Sequence, residues 1–359
     1  MTKKDTQSDV VVQQNSELAV MDEVIYVGLD DGHADCKLVA STGETFVMPS
    51  RIIEGSRNIN VMGGEGKFNV IEIKDEFGET ESFTINKDLS ESLDTRIPSY
   101  PYSAINLALV HSALGKAGLG GKEVFICTGL PVAQAYNQEG NANKELIDLK
   151  IKNLQRPVQS PGWETAIIMK NSVCSEGVAA FFDLMLDLDG NPTEFYESAQ
   201  TTRNMVIDIG GKTTDFAILL PGGNQIDGTR FGSIDYGILH VADKLAQKVN
   251  QHLTREIYRG TDASIQEMIK NGGFLHHNGK KFDFSEALEA LKGYAAKRIH
   301  SKIKDQASTH DINKIIFVGG GSAFLFDVLK EHYPDQAVIS EDPQFANARG
   351  MLKVAKFFS

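Results

Sequence analysis

Two segments, one in each half of the chain, share a pattern of an apolar run, an Asp-x-Gly turn and a second apolar run. They are residues 27–39, with the turn Asp30-Asp31-Gly32, and residues 205–219, with the turn Asp208-Ile209-Gly210. Apolar runs on both sides of such a turn predict a β-hairpin. The glycine allows positive φ, so consecutive N–H groups can surround an anion, and the aspartate suits a hydrated Mg²⁺ bound to phosphate. One such turn alone would be an ordinary structural feature. Two of them predict a nucleoside triphosphate held between two domains.

The size of the chain agrees with two domains. Its 359 residues exceed the length at which single hydrophobic cores stop growing. Hydrophobic residues at 41% and charged residues at 23% are ordinary for a soluble globular protein. The net charge of −12 argues against a broad basic surface for direct nucleic-acid binding, although a local basic patch is compatible with it.

The cysteines and the N-terminus favour a cytoplasmic protein. Cys36, Cys127 and Cys174 show no CxxC spacing, so we expect buried free thiols in a reducing compartment. No apolar run is long enough to span a bilayer, and no signal-peptide core follows the N-terminal lysines. Residues 1–22 are polar apart from the three valines at 10–12, and we expect a flexible tail, with a weak strand at those valines as the alternative.

Hydrophobic patterns predict an α/β order in the first half. After the hairpin at 23–39 we expect a strand within 44–53 and a β-rich insertion at about 54–100. The remaining predicted elements are a helix at 102–117 closed by Gly118, a strand at 123–131, a helix within 136–152, a strand at 166–169 and a helix at 176–188.

The second half repeats this order. We expect strands at 205–209, 216–220, 228–231 and 314–318, and helices at 238–253, 284–304, 323–331 and 344–357. The Gly, Pro and Thr residues of 190–203 mark the boundary between the halves. The predicted domains are therefore 23–199 plus 341–359, and 200–340.

Three further features have both functional and structural interpretations. Between a strand and a helix lies Gly319-Gly320-Gly321-Ser322, which would let a ligand lie directly on the backbone or is a plain tight turn. The motif lacks the third glycine of a dinucleotide-binding fingerprint. Glu176 either positions a water molecule or stabilises a helix dipole. His33 either contacts phosphate or, as the simpler interpretation, faces solvent.

Other catalytic and metal motifs are missing from the sequence. The segment His276-His277-Asn278-Gly279 is interpreted as a loop without a metal, since no further ligand is nearby. There is no Walker A, HExxH or GxSxG motif, which disfavours P-loop NTPases, zincins and serine hydrolases.

The order of these motifs resembles the actin, Hsp70 and hexokinase superfamily. Residues 30–37 are similar to its phosphate-1 loop, 175–180 to its first connecting helix and 208–215 to phosphate-2. Residues 319–322 are similar to the adenosine motif and 346–351 to the second connecting helix. The resemblance implies an actin-like fold of two RNase H-like domains, each a mixed sheet flanked by helices, with nucleotide in the cleft between them.

Within the superfamily the chain resembles the ParM (StbA) family of plasmid-segregation actins. The residues that carry this resemblance are Asp30-Asp31-Gly32, 106–114, Cys127-Thr128-Gly129-Leu130-Pro131 followed by Tyr136, and Gly319-Gly320-Gly321-Ser322. The chain departs from the family in its N-terminal tail, in His33 where a small hydroxyl residue is usual, and in Ser175-Glu176-Gly177 in place of Pro-Glu-Ser.

The resemblance implies a site for ATP or ADP with Mg²⁺. Glu176 and Asp208 would be catalytic, and Asp30 and Asp208 would hold Mg²⁺ through water. The implied nucleotide-binding residues are Asp30, Gly32, His33, Ala34, Asp35, Lys37, Gly210, Gly211, Lys212, Thr213, Gly237, Gly319, Gly320, Gly321 and Ser322.

The resemblance also implies a filament-forming ATPase. Such a protein polymerises with ATP, disassembles after hydrolysis and moves plasmid DNA through a ParR-like DNA-binding adaptor, so we expect neither direct DNA binding nor membrane binding. Two alternatives stay open: a nucleotide-binding assembly scaffold of the cell-division or pilus type, and a small-molecule kinase, for which we identify no sugar pocket or base.

Overall fold

The computed structural model describes residues 24–57, 69–75, 77–89, 91–137, 139–223 and 225–358. The predicted tail and its three valines lie outside these ranges. The strands are β1 Ile25–Asp31, β2 Asp35–Ala40, β3 Thr45–Pro49, β4 Ile52–Glu54, β5 Val70–Lys74, β6 Thr80–Ile85, β7 Glu123–Leu130, β8 Val158–Gln159, β9 Ile167–Ser175, β10 Asn204–Ile209, β11 Thr214–Leu219, β12 Ile226–Ile234, β13 Phe274–His277, β14 Lys280–Asp283, β15 Lys314–Val318 and β16 Ala337–Ile339. The helices are α1 Ala104–Leu114, α2 Val132–Ala135, α3 Lys144–Leu154, α4 Glu176–Met185, α5 Glu194–Thr201, α6 Ile238–Leu253, α7 Ala263–Lys270, α8 Ser285–Gln306, α9 Gly320–Leu329 and α10 Ala346–Phe357.

Two five-stranded sheets with the same topology form the centre of the molecule. Their strand orders are β3-β2-β1-β7-β9 and β12-β11-β10-β15-β16. In each sheet an antiparallel hairpin (β1–β2 or β10–β11) is continued by a parallel strand (β7 or β15). The predicted repetition of the two halves is therefore present in the fold. Each hairpin turn lies at the carboxyl end of the first strand of its hairpin, in the equivalent position of its sheet.

Helices α4 and α10 cross between the two halves. Helix α4 follows the first sheet, but its Phe181 packs with Val206 and Ile316 of the second sheet. Helix α10 follows the second sheet but packs on the first, where a Cβ on Gly28 would lie 1.9 Å from the Ala348 carbonyl oxygen. Both helices therefore link the cores of the two sheets.

A smaller sheet with the order β4-β6-β5-β8 forms the predicted β-rich insertion. Its inner face, which includes Ile52, Ile71 and Ile85, joins the core under α1. The single strand expected within 44–53 is wrong in one respect, because β3 belongs to the first sheet and β4 to the insertion. Two consecutive strands, separated only by Ser50 and Arg51, thus belong to two different sheets.

Other differences from the expected elements have local causes. The segment interpreted as a loop at His276–Gly279 is the end and turn of the β13–β14 hairpin, in which Asn278 and Gly279 have positive φ. Helix α9 begins at Gly320, earlier than predicted, and β9 continues to Ser175, well beyond the short strand expected at 166–169. Helix α7 was not predicted, and α5 lies in the stretch interpreted as a boundary.

The cysteines are all free, but only Cys36 and Cys127 are buried, so the expectation of burial is wrong for the partly exposed Cys174. Within the ranges that the structure describes, no helix combines the length and apolarity needed to cross a membrane.

Candidate functional site

The two predicted hairpin turns face each other across one cleft between the sheets. They approach so closely that a Cβ on Gly211 would lie 2.7 Å from the Cβ of Ala34. The end of β15, the start of α4 and the loop after β7 complete the walls. The cleft is lined by Asp30, Asp31, Gly32, His33, Ala34, Asp35, Lys37, Tyr100, Pro101, Gly129, Pro131, Gln134, Lys150, Glu176, Asp208, Gly210, Gly211, Lys212, Thr213, Gly319, Gly320 and Asn347.

This lining includes all the predicted site residues except Gly237, Gly321 and Ser322. Ser322 is fully buried, and its Oγ donates to the Val318 carbonyl at 2.5 Å. A Cβ on Gly237 would lie 2.5 Å from the carbonyl oxygen of Gly210, so Gly237 packs behind the second turn. Gly321 is also closely packed, since a Cβ there would lie 2.5 Å from Ile209 Cγ2, and none of the three residues lines the cleft.

Gly319 is a position where the backbone requires glycine. Its φ is +86°, and a Cβ there would lie 2.2 Å from Asp208 Oδ1. Any side chain would push the end of β15 away from the carboxylate. The close approach lets backbone and carboxylate share one wall of the cleft.

Three carboxylates from different elements meet in the cleft. Asp30 comes from the end of β1, Asp208 from β10 and Glu176 from the first turn of α4. Lys37 Nζ lies 3.2 Å from Asp30 Oδ2, and Asn347 Nδ2 donates to Asp208 Oδ2 at 2.6 Å. The acidic groups are therefore only partly balanced by the protein.

The pKa values report this imbalance. Burial, followed by the charge of Asp30, raises the pKa of Asp208 to about 7. Removal from solvent, followed by the charges of Asp30 and Asp208, raises the pKa of Glu176 well above its usual range. A cation bound among these groups would lower both pKa values.

The environment of Glu176 is set by a glycine on the neighbouring strand. A Cβ on Gly129 would lie 2.5 Å from Glu176 Cγ, so glycine leaves the room that this side chain occupies in the cleft. Glu176 thus lies among the acids of the cleft, although its place in the first turn of α4 also fits the helix-dipole interpretation. Its predicted catalytic role stays a prediction.

His33 does not face solvent freely, so the simpler interpretation of this residue is wrong. Its ring lies 4.8 Å from the ring of Tyr100, and its carbonyl accepts a hydrogen bond from Thr95 Oγ1 at 2.9 Å. Burial and then the charge of Lys212 lower the pKa of His33 to about 4. The imidazole is therefore neutral near pH 7 and adds no positive charge to the turn.

A buried ion pair beneath the first turn was missed from the sequence. Lys150 Nζ contacts Asp31 at 2.9 and 2.7 Å and the Gly129 carbonyl at 2.5 Å. Asn106 donates a further hydrogen bond to Asp31. Because Lys150 joins the β1–β2 turn to the end of β7, it fixes the two backbone segments that carry Asp30 and surround Glu176.

The mouth of the cleft is crossed by a few polar contacts. Arg51 donates to the Thr261 carbonyl at 2.5 Å, and Arg96 lies 3.5 Å from Asp243. Lys212 Nζ donates to the Arg96 carbonyl at 3.2 Å. The Arg51 contact reaches the segment before α7, and the Arg96 contacts reach α6 and the second turn. A further cavity of about 740 Å³ lies beside them.

Comparisons with known proteins agree with this architecture. Residues 25–187 match the family described as plasmid segregation protein ParM, N-terminal, and residues 206–331 match archaeal actin homologue MreB-like, C-terminal. An archaeal actin homolog of Thermoplasma acidophilum is 24% identical over 93% of this chain and 99% of its own.

Solved structures show the same fold. A 15-stranded ParM filament from Clostridium botulinum superposes with a TM-score of 0.73 at 18% identity, covering 94% of this chain and all of that one. A crystal structure of an archaeal actin homolog in complex with ADP has a TM-score of 0.72 at 20% identity, covering 93% of this chain and 99% of that chain. The chain is an actin-like protein of the ParM/StbA type, and its fold belongs to a family of nucleotide-binding ATPases.

Proposed function

We propose that this ParM/StbA-type actin-like chain is a Mg²⁺-dependent ATPase that assembles into filaments when it binds ATP. The observation that carries the proposal is the convergence of Asp30, Asp208 and Glu176 with two glycine turns in one cleft. Turn backbone and helix N-termini are suited to phosphate groups, and the three acids lack sufficient cationic partners.

The acids fit a hydrated magnesium ion. Among the described residues, no three His, Cys, Asp or Glu side chains lie close enough together to coordinate a metal ion directly, so the acids of the cleft would reach an ion through its bound water. Asp30 and Asp208 would hold the ion through water, as Mg²⁺ commonly binds one or two carboxylates together with phosphate oxygens. Bound there, Mg²⁺ would neutralise charge on the phosphate groups.

The remaining residues would divide binding from hydrolysis. The glycine turns and Lys37 would hold the phosphates, and the backbone at Gly319 and Gly320 would lie beside the nucleoside. Glu176 would orient the attacking water and accept its proton. Chemistry of this kind depends on positioning and electrostatics rather than on a covalent intermediate.

Assembly and hydrolysis can be tested in one experiment. Purified protein would be mixed with Mg-ATP or Mg-ADP while light scattering and phosphate release are recorded, and electron microscopy would identify filaments. We expect Glu176→Ala to form longer-lived filaments with hydrolysis slowed by about 10²-fold or more. A matched control is Glu286→Ala, since Glu286 lies in the first turn of α8 and outside the cleft. No assembly with any nucleotide would refute the filament proposal.

We further propose that the filament moves plasmid DNA in the cytoplasm through a ParR-like adaptor. The net charge of −12 favours a basic partner over direct DNA contact. The test is co-sedimentation of filaments with a basic DNA-binding protein encoded beside this chain, with and without its DNA site. Filaments that form but capture no such complex would favour the alternative of an assembly scaffold.

A further inference from the structure

A buried carboxylate next to the cleft has no role in the function proposed above. Asp215 on β11 lies directly opposite Asp208 on β10 and is 5% exposed. Burial raises the pKa of Asp215 to about 6, although hydrogen bonds from the Thr213 and Ser233 side chains act in the opposite direction and lower it. A buried acid with this neighbour is unfavourable for the apo-protein, so its contacts indicate what it does.

The closest of these contacts involves a residue of the cleft. Thr213 Oγ1 donates to Asp215 Oδ2 at 2.7 Å. Thr213 lines the cleft at the end of the second turn, where its carbonyl accepts a hydrogen bond from Gly210 N–H at 2.9 Å. Thr213 immediately precedes β11 and Asp215 is the second residue of that strand, and the hydrogen bond places their side chains on the same side of the chain.

The direction of this hydrogen bond decides what Thr213 can offer a ligand. A hydroxyl has one proton and two lone pairs, and an ionised carboxylate accepts only. Because the Thr213 hydroxyl donates its one hydrogen bond to Asp215, it can only accept hydrogen bonds from groups in the cleft. It therefore cannot donate to a phosphate oxygen, but it can accept a hydrogen bond from a water molecule.

We propose that Asp215 is a positioning residue, which holds the Thr213 hydroxyl as an acceptor for the water that attacks the terminal phosphate. This inference rests on the proposed ATPase function. Glu176 on the opposite wall supplies the second acceptor, and two acceptors direct both water protons away from the phosphate. An oxygen lone pair then faces phosphorus, so the P–O bond forms as the bond to the leaving diphosphate breaks and a proton passes to Glu176.

The test is a mutant cycle read as separate kcat and KM values for Mg-ATP. We expect Thr213→Val to lower kcat by about 10- to 100-fold with KM little changed, since one positioned group of two is lost. Asp215→Ala should give a similar loss, because the freed hydroxyl can then donate to phosphate. Thr213→Ser should keep most of the rate.

The double variant distinguishes positioning from direct action. If Asp215 acts only through Thr213, Thr213→Val/Asp215→Ala should be no slower than Thr213→Val. Asp215→Asn keeps the shape of the side chain and an acceptor for the Thr213 hydroxyl, so it should retain most of the rate that Asp215→Ala loses. Thr229→Val is the matched control, because Thr229 is an exposed residue of β12 and its Oγ1 donates to Asp227 Oδ1 at the same 2.7 Å.

Three results would overturn the inference: an additive loss in the double variant, a loss confined to KM, or unchanged kcat in Thr213→Val. Each leaves the proposed function standing as long as the wild type hydrolyses ATP and Glu176→Ala does not. An inactive wild type would instead refute the proposed function itself.

Discussion

Replacing Lys150 by methionine should destabilise the protein strongly, because it leaves Asp31 charged and buried. Both side chains of the pair are 2% exposed, and Lys150 provides two of the close contacts to the carboxylate. After the substitution only the hydrogen bond from Asn106 remains among the side-chain partners that the structure describes. Removing one partner of such a pair typically costs about 3–5 kcal/mol.

Protonation of Asp31 sets an upper limit to this loss. An unfolded aspartate has a pKa near 3.9, so protonating it at pH 7 costs about 4 kcal/mol. Because the carboxylate of the variant can take up a proton at this cost, we expect the free energy of unfolding to fall by about 3–4 kcal/mol. Protonation becomes less costly as the pH falls toward 4, so the difference between variant and wild type should shrink there.

Urea unfolding of the apo-protein at pH 7 and pH 5 would measure both effects. Asp31→Asn/Lys150→Met should recover much of the loss, since neutral groups replace the whole pair. Lys152→Met is the matched control, because Lys152 lies on the exposed side of the same helix. A Lys150→Met variant within about 1 kcal/mol of wild type, or an equal loss at both pH values, would refute the reasoning.

The remaining predictions concern the ligand, the pH dependence and the packing of the crossing helices. Mg-ATP at a hundred times its Kd should stabilise the wild type by about 2.7 kcal/mol, and Asp208→Ala should lose most of this stabilisation. A thermal shift assay measures the effect, and an undiminished shift in the variant would contradict the prediction. Burial lowers the pKa of His111 to about 4 from 6.5, so its neutral form supports the fold above pH 6.5 and stability falls as the pH drops toward 4. His111→Leu should therefore reduce that acid-side fall by on the order of 3 kcal/mol in urea titrations. In Gly350→Ala a Cβ would lie 1.8 Å from the Ala179 carbonyl oxygen. We therefore expect the free energy of unfolding to fall by about 1–3 kcal/mol, which thermal unfolding would show as a lower Tm.

Local signals were sufficient for most of the fold. The hairpins at β1–β2 and β10–β11 follow from apolar runs around a glycine turn, and α6 has the predicted bounds. The β13–β14 hairpin was misread although Asn278-Gly279 is a strong two-residue turn signal. Helix α9 begins within a glycine run because tertiary packing outweighs the low helix propensity of glycine.

The candidate site was predictable only where its residues lie in a local motif. Asp30 and Asp208 each lie one residue before the end of a strand and Glu176 begins α4, all within recognisable patterns, and the structure brings them together. Lys150 resembles any other lysine of a polar helix, and its partner Asp31 is 119 residues away. Asn347 lay in a recognised segment, but its hydrogen bond to Asp208 spans 139 residues. Contacts of this range depend on the fold rather than on sequence patterns.

The balance of forces across the cleft indicates why its state should depend on the ligand. Arg96 and Asp243, which connect the two sides, are 26% and 40% exposed in their side chains, and pairs of this kind contribute about 0.2–1 kcal/mol. Opposing them, Asp30 and Asp208 approach from different sheets, and the charge of Asp30 adds to burial in raising the pKa of Asp208. A divalent cation with phosphate groups would convert this repulsion into attraction at the same place. Nucleotide binding and the approach of the two sheets should therefore be thermodynamically linked, with the acids as the source of the coupling.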